Sequence, residues 1–255
     1  MAILQINNLN KNFGGLTAVL NLNLHVESNE LVGLIGPNGA GKTTIFNLLT
    51  GVYKPDGGEI LFQGKEIGGL PAYVICQKGI SRTFQNIRLF NDMTVLDNVR
   101  IALHKSSPYS LGAAVFRRSA YYDGEKSIEA QATECLKIFK LDHKKDEIAS
   151  NLPYGEQRRL EIARALAANP VLLILDEPAA GMNPNETQDL MNLIRWIRQQ
   201  FHLTILLIEH DMSLVMGVCE RIYVLDYGQV IAEGNPEEIR ANKRVIEAYL
   251  GEEVK

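Results

Sequence analysis

Residues 36–43 read Gly-Pro-Asn-Gly-Ala-Gly-Lys-Thr and fit the pattern G-x-x-x-x-G-K-[ST] of a phosphate-binding loop. Glycines let backbone N–H groups curl around phosphate oxygens without a clash from Cβ. The Lys42 ammonium supplies a point charge for the β- and γ-phosphates, and the Thr43 hydroxyl is a ligand for Mg²⁺. A chance glycine-rich turn is the alternative, but the segment lies between an apolar strand and a helix, as the chemistry requires. The residues predicted to bind the nucleotide here are Gly36, Pro37, Asn38, Gly39, Ala40, Gly41, Lys42, Thr43 and Thr44.

A second set of reactive groups follows two apolar strands farther along the chain. The strand Val171–Leu175 ends in Asp176 and Glu177. Beside a phosphate loop, Asp176 is expected to hold Mg²⁺ and Glu177 to act as the general base that polarises the attacking water. His210 follows another apolar strand. It has two interpretations, a contact to the γ-phosphate or the water, and a structural role, which is the commoner one for a single histidine.

The elements that must position these groups alternate between strands and helices. The strand Leu31–Ile35 runs into the phosphate loop, and a helix follows it as far as Gly51. Residues 86–170 are predicted to be mostly helical, with breaks at 106–108 and 123–124. After this block strands alternate with helices again, which is typical of a parallel sheet with helices on its faces. The pattern predicts an α/β core with an inserted helical block.

Composition limits the class of protein. The chain has 255 residues, of which 46% are hydrophobic and 22% charged, as in an ordinary soluble globular protein. A net charge of −4 gives no basic field for nucleic acid, so no nucleic-acid partner is expected. The three cysteines lie far apart without metal-ligand spacing and are expected to be inert thiols. We expect no signal peptide and no spanning helix, so another chain would have to cross any membrane this protein serves.

In this order along the chain, the motifs resemble those of the nucleotide-binding subunits of ABC transporters. Phe13 matches the aromatic residue that stacks on adenine, and Gln85 matches the glutamine that senses magnesium and water. Residues 152–157 read Leu-Pro-Tyr-Gly-Glu-Gln and stand in the place of the family's LSGGQ signature. Asp176, Glu177 and His210 occupy the remaining catalytic positions.

The resemblance implies ATP and Mg²⁺ as cofactors. It assigns catalysis to Glu177, His210 and Gln85, and the metal to Thr43, Gln85 and Asp176. The signature residues implied to contact the nucleotide are Pro153, Tyr154, Gly155 and Glu156.

The resemblance covers nearly the whole chain and implies a fold. That fold is an α/β P-loop NTPase core of the ABC type, with a mostly parallel sheet, an N-terminal antiparallel β-subdomain and an inserted α-helical subdomain. Residues 1–85 would form the β-subdomain and the first part of the core, and residues 86–170 the helical subdomain with the signature. Residues 171–255 would complete the core and add the C-terminal helices.

Several stretches are similar to one group within the family, the larger ATP-binding subunit of bacterial high-affinity branched-chain amino acid importers. These stretches are Arg82–Phe90, Tyr154–Arg159, Ala179–Pro184, Pro236–Ile239 and Tyr249–Gly251. The substrate is implied by analogy alone, because no residue of this chain would touch an amino acid. The implied partners are a second ATP-binding subunit, membrane permease subunits and, indirectly, an extracytoplasmic amino-acid-binding protein. The implied location is the cytoplasmic face of a bacterial or archaeal cell membrane.

Two residues depart from the family pattern. Pro153 replaces the signature serine and supplies neither a hydroxyl nor an N–H group. Asn183 replaces an aspartate of the loop that crosses the dimer interface, so the charge is lost. Both changes weaken the site that this chain completes in its partner. They favour a heterodimer with unequal sites.

Other functions remain as alternatives. An ABC-type ATPase could power another transport substrate or a non-transport process, although the latter usually needs long coiled coils or tandem cassettes. A GTPase is disfavoured because Asn242-Lys243 is not followed by the aspartate that reads guanine. A binding module without catalysis is disfavoured by Glu177 and His210 together. Aromatic residues of the helical block either pack inside it or form a docking surface for a membrane subunit, and these residues are Phe90, Tyr109, Phe116, Tyr121 and Tyr122.

Overall fold

The computed structural model describes residues 2–106 and 109–253. Its strands are β1 (Ala2–Phe13), β2 (Leu16–Glu27), β3 (Leu31–Ile35), β4 (Gly57–Phe62), β5 (Lys65–Glu66), β6 (Ile80–Arg82), β7 (Leu172–Asp176), β8 (Thr204–Ile208), β9 (Arg221–Asp226) and β10 (Gln229–Gly234). Its helices are α1 (Lys42–Leu49), α2 (Ala72–Gln77), α3 (Val95–Leu103), α4 (Leu111–Val115), α5 (Ser119–Ile138), α6 (Tyr154–Ala167), α7 (Pro184–Phe201), α8 (Met212–Val218), α9 (Pro236–Ala241) and α10 (Lys243–Glu253). Short 3₁₀ turns lie at His104–Ser106, Asp142–Lys144 and Ala149–Asn151. Among these helices none has the length and apolar character needed to cross a bilayer.

The chain divides into two units, residues 1–82 with 171–255 and residues 83–170. The first unit contains an antiparallel sheet in the order β2-β1-β4-β5. Its two long strands are joined at Gly14 and Gly15. Along β2 the side chains of Leu22, Leu24 and Val26 are buried and alternate with exposed polar ones, as expected for a strand with one covered face.

The first unit also contains the six-stranded sheet of the α/β core, in the order β10-β9-β3-β8-β7-β6. Strands β9, β3, β8, β7 and β6 run parallel, and only β10 is antiparallel, at one edge. Every residue of β3, β7 and β8 is buried, which explains why their sequences are almost entirely apolar. Because these strands are parallel, the segments that follow them emerge at the same edge of the sheet, where ligands of open α/β sheets bind. The predicted parallel core is confirmed.

The second unit is helical. Helix α3 packs against α5 and α6, and its N-cap Thr94 accepts a hydrogen bond from the Asp97 N–H group. The unit begins at Thr83, so the boundary predicted after Gln85 differs from the observed one. The reason is that the Phe84 backbone is hydrogen-bonded to side chains of α6, which ties the segment into the helical unit.

The prediction of a break at Asp123-Gly124 is wrong. Both residues lie inside α5. Gly124 shares the buried face of this helix with Ile128, Ala132 and Leu136, so packing outweighs the low helix propensity of glycine. The other predicted break, at Ser106-Ser107-Pro108, falls mostly on residues outside the described ones.

Candidate functional site

The phosphate-loop segment follows β3 and leads into α1. Gly36 has φ +154°, and a Cβ atom there would lie 2.2 Å from the Leu225 carbonyl oxygen. Gly41 has φ +100°, and its Cβ would lie 2.6 Å from the Ala18 carbonyl oxygen. A side chain at either position would therefore push the loop away from neighbouring backbone. The Gly228 N–H group donates to the Ala40 carbonyl at 3.0 Å and fixes the loop further.

Lys42 lies under this loop, with only 8% of the residue exposed. Its ammonium donates to the carbonyl oxygens of Gly36 at 2.5 Å and Pro37 at 2.8 Å. Thr43 and Thr44 follow in the first turn of α1, where N–H groups without helical partners and the positive end of the helix dipole favour an anion. The loop thus surrounds one positive charge and ends in a helix N-terminus, an arrangement suited to phosphate.

Asp176 and Glu177 lie where β7 ends. Asp176 is buried as the last residue of the strand. The Glu177 N–H group donates to the Ile208 carbonyl at 2.8 Å. The backbone of Glu177 has φ +43°, a left-handed conformation that residues with a side chain seldom adopt. Other described non-glycine residues, Gln63 and Lys140 among them, share this conformation away from the site, so it does not by itself distinguish Glu177.

His210 follows β8, the neighbour of β7. Its side chain is 61% exposed, and its Nδ1 lies 3.6 Å from Glu177 Oε2 and 3.8 Å from Glu209 Oε2. The sheet thus brings together Glu177 and His210, which are far apart in the sequence. A histidine beside two carboxylates is well placed to hold or orient a water molecule or a phosphate oxygen.

Glu209 is a residue of this site that the sequence did not indicate. Its side chain is fully buried directly after β8. Burial raises the pKa of this carboxyl group, and backbone N–H donors from Ala179, Asp211 and His210 oppose that rise. A signal existed in the sequence, because Glu209 directly follows four consecutive apolar residues, Ile205–Ile208, all of them buried in β8.

Phe13 lies at the end of β1 and is 41% exposed. Its ring meets the edge of Tyr53 with the ring centroids 5.1 Å apart, and the Lys11 ammonium lies 5.4 Å from its centroid. Tyr53 thus supports the ring from one side. An exposed aromatic ring held by a neighbouring ring is suited to stacking on a planar base.

The other predicted site residues lie in the helical unit. Gln85 is exposed on the segment that opens this unit. Pro153 is the N-cap of α6, Tyr154 and Gly155 occupy its first turn, and Glu156 forms an ion pair with Lys144 at 2.7 Å. The Glu156 N–H group donates to the Pro153 carbonyl oxygen at 2.9 Å. The N–H groups that an anion would contact are therefore those of Tyr154 and Gly155, since Pro153 has none.

Arg158 and Glu161 form a buried ion pair in the helical unit that the sequence also did not indicate. Arg158 Nη1 lies 2.9 Å from Glu161 Oε2. The guanidinium also donates to the carbonyl oxygens of Phe84 at 2.5 Å and Gln85 at 2.6 Å. Glu161 Oε1 accepts from the N–H groups of Phe84 at 3.3 Å and Arg88 at 3.1 Å. This pair therefore fixes the backbone around Gln85 to the helix that carries the signature.

Asn183 has a local structural role. Its side chain caps α7 by accepting from the Glu186 N–H group at 3.0 Å, while Glu186 accepts from the Asn183 N–H group at 2.9 Å. Asparagine and aspartate cap helices about equally well. The capping function therefore does not require the charge that the family aspartate would carry.

Comparison with known proteins adds to this geometry. Residues 19–180 match the model of the ABC transporter family, and residues 229–255 match that of the branched-chain amino acid ATP-binding cassette transporter. The chain is 49% identical over 251 residues to the high-affinity branched-chain amino acid transport ATP-binding protein LivG of Escherichia coli, covering 98% of each chain. It is also similar to a solved ABC transporter cassette in its ADP conformation, with a TM-score of 0.84, 32% identity and coverage of 98% of this chain and 99% of the other. A dimeric cassette bound to ADP and Pi matches with a TM-score of 0.77 and 26% identity, covering 91% and 98%.

Proposed function

The chain belongs to the ABC transporter family, and from this membership we propose that it is the ATP-hydrolysing subunit of an importer of branched-chain amino acids. The substrate class is supported by the C-terminal match over residues 229–255. It is also supported by 49% identity, along nearly the whole chain, to a branched-chain amino acid transport ATP-binding protein. The ATPase activity rests on family membership. The alternative is another transported substrate, because no residue of this chain would contact the cargo.

ATP is proposed to bind with its phosphates against residues 36–43. The glycine backbone lets N–H groups approach the phosphate oxygens, and Lys42 would exchange its bonds to the Gly36 and Pro37 carbonyls for the β- and γ-phosphates. The adenine ring would stack on Phe13. The helix dipole of α1 adds a favourable field at the same point.

The residues present fit a magnesium ion. The Thr43 hydroxyl in the first turn of α1 and the Asp176 carboxylate at the end of β7 are hard oxygen donors, which Mg²⁺ prefers. These two side chains would hold the ion; Gln85, the further ligand that the family resemblance implies, lies in the helical unit. The ion would neutralise charge on the β- and γ-phosphates during transfer.

Hydrolysis is proposed to depend on Glu177 and His210. Glu177 accepts the proton of the attacking water as general base, and His210 beside it orients the water and the γ-phosphate. The left-handed backbone of Glu177 turns the chain sharply as it leaves β7. The short separation of the two side chains lets one water molecule contact both.

A second cassette is proposed to complete the site. ABC cassettes act in dimers with membrane permease subunits, and one solved relative is a dimer bound to ADP and Pi. We propose that the first turn of α6, at Tyr154 and Gly155, contacts the γ-phosphate held by the opposing subunit. Pro153 lacks the hydroxyl of the family serine, so the site to which this chain contributes would be the weaker one. A heterodimer with unequal sites follows, at the cytoplasmic face of the membrane and supplied by an extracytoplasmic amino-acid-binding protein.

The test is transport by the complete complex in liposomes. The chain is assembled with its permeases, second cassette and binding protein, and ATP-dependent uptake of labelled leucine is measured. We expect uptake that unlabelled isoleucine and valine compete away and that unlabelled arginine does not. The Glu177→Gln variant should bind ATP and lose hydrolysis and uptake. The control is Glu237→Gln, the same change at an exposed glutamate of α9, which should retain both.

Two results would contradict the proposal separately. ATP-driven uptake of a different substrate, without competition from branched-chain amino acids, would overturn the substrate class. Full hydrolysis by Glu177→Gln would remove Glu177 from the role of base and leave the substrate class standing.

A further inference from the structure

The buried carboxylate of Glu209 connects two loops, the one that follows β7 and the one that follows β8. Its Oε1 accepts from the Ala179 N–H group at 2.9 Å, in the loop after β7. Its Oε2 accepts from the N–H groups of His210 at 3.1 Å and Asp211 at 3.3 Å, in the loop after β8. Both oxygens are therefore used, and each serves a different loop.

The two joined loops carry the two groups proposed to act on water. Ala179 is two residues beyond Glu177, with the rigid Pro178 between them. The exposed side chain of His210 is not held by packing, so its place depends largely on its backbone. Glu209 fixes that backbone relative to the Glu177 segment. The 3.6 Å separation of His210 Nδ1 from Glu177 Oε2 depends on this connection.

We infer that Glu209 is a positioning residue that sets the spacing of Glu177 and His210 for hydrolysis and leaves nucleotide binding unaffected. The inference rests on the proposed roles of these two residues. The hydrogen bonds and the ion pair of Glu209 go to Ala179, His210 and Asp211 and not to residues 36–43, which would hold the phosphates, so its effect should fall on kcat. It would act through the backbone N–H groups that it accepts from and through its carboxylate, which lies 3.8 Å from His210 Nδ1, and it needs no contact with ATP.

Glu209→Gln is the most specific substitution for this test, because glutamine matches glutamate in size and replaces one carboxylate oxygen with an NH₂ group. In either orientation its amide NH₂ must face N–H donors, those of Ala179 or those of His210 and Asp211. Where the amide NH₂ group faces a backbone N–H group, no hydrogen bond forms, so the connection to one of the two loops is lost without creating a cavity. Aspartate keeps two acceptor oxygens on a shorter side chain, so Glu209→Asp should restore part of the function.

The experiment measures steady-state ATP hydrolysis and ATP binding by the complete transporter complex. We expect Glu209→Gln to lower kcat about 10- to 100-fold, with KM for ATP and ATP affinity within about twofold of the wild type. Glu209→Asp should fall between the two. The matched control is Glu30→Gln, which removes a mostly buried carboxylate that accepts from the Glu27 N–H group and Arg221, away from the site. It should retain wild-type kcat.

A double-mutant cycle separates positioning from general stability. If Glu209 acts through His210, then adding Glu209→Gln to His210→Ala should lower kcat by less than about threefold. A full additive loss, or equal losses of kcat and ATP affinity, would overturn the inference. If Glu209→Gln does not fold, Glu209→Asp takes its place in the same cycle, with the same two outcomes.

If the proposed function itself is wrong, the measurements give a different result. In that case Glu177→Gln and His210→Ala would each hydrolyse ATP at the wild-type rate. Wild-type kcat in Glu209→Gln, with Glu177→Gln and His210→Ala both impaired, would overturn the positioning role alone.

Discussion

Replacing Arg158 with methionine should destabilise the helical unit and release the segment around Gln85. Methionine has an unbranched side chain that fills much of the space, so the main change is the loss of the guanidinium. Arg158 is completely buried and donates to Phe84, Gln85 and Glu161. Its removal leaves the carboxylate of Glu161 buried without its cation.

The magnitude follows from that buried pair. Breaking a buried ion pair by removing one partner costs about 3–5 kcal/mol in the free energy of unfolding. Domains are stable by only about 5–15 kcal/mol, so the loss is a large fraction of the total. Arg159→Met is the control, because Arg159 is adjacent on the same helix and partly exposed. Its change should cost no more than about 0.5 kcal/mol.

The assay is urea unfolding combined with hydrogen exchange of residues 84–88. In Arg158→Met the unfolding midpoint should fall, and exchange of the Phe84 and Arg88 amides should speed up because their acceptor Glu161 is no longer held. The double variant Arg158→Met with Glu161→Leu should regain most of the stability, since no buried charge remains. It should not regain the slow exchange. Equal midpoints and equal exchange in Arg158→Met and Arg159→Met would refute the reasoning.

Three further predictions concern other parts of the chain. Phe13→Ala should weaken ATP binding about 5- to 100-fold, measured with a fluorescent nucleotide, because one stacking contact is worth about 1–3 kcal/mol; Phe13→Tyr should bind normally. Pro153→Ser should raise the turnover of the assembled complex, and an unchanged rate at every ATP concentration would count against the proposed weak site. Burial raises the pKa of the Cys135 thiol from 9.0 to about 12, which lowers its thiolate fraction at pH 8. Alkylation of Cys135 in the folded protein should therefore be about 10³-fold slower than in urea, and equal rates would contradict this.

The fold was predictable where the hydrophobic pattern of the sequence is typical of one kind of element. The runs that became β3, β7 and β8 are short and almost entirely apolar, with Asp176 and Thr204 as the polar ends of β7 and β8, which is typical of central parallel strands. The helical block was predictable as a whole, but its internal breaks were not. Local propensity predicts a break at Asp123-Gly124, whereas in the structure both residues lie in α5, with Gly124 on its buried face.

The proximity of the segments that follow β3, β7 and β8 was predictable because it follows from topology. Once the strands are parallel and adjacent, the segments after β3, β7 and β8 must emerge at one edge of the sheet, whatever the intervening chain does. Glu209, Arg158 and Glu161 could not be found in this way. In the sequence Arg158 and Glu161 are ordinary charged residues, and only the packing of distant segments determines that they are buried. For Glu209 the sequence offers only its place at the end of a buried strand.

These unpredicted residues share a physical task. Gln85 and His210, the side chains proposed to meet the nucleotide or its water, are exposed, so packing does not define their positions. In each unit a buried charged side chain instead fixes the neighbouring backbone, Arg158 at Gln85 and Glu209 at His210. A charged group gives stronger hydrogen bonds to backbone than a neutral one and is costly to leave unpaired, so each connection is hard to break by thermal motion. The exposed side chain remains accessible to the nucleotide while its backbone is held in place. Substitutions at Arg158 and Glu209 should therefore impair hydrolysis even though neither residue would touch ATP.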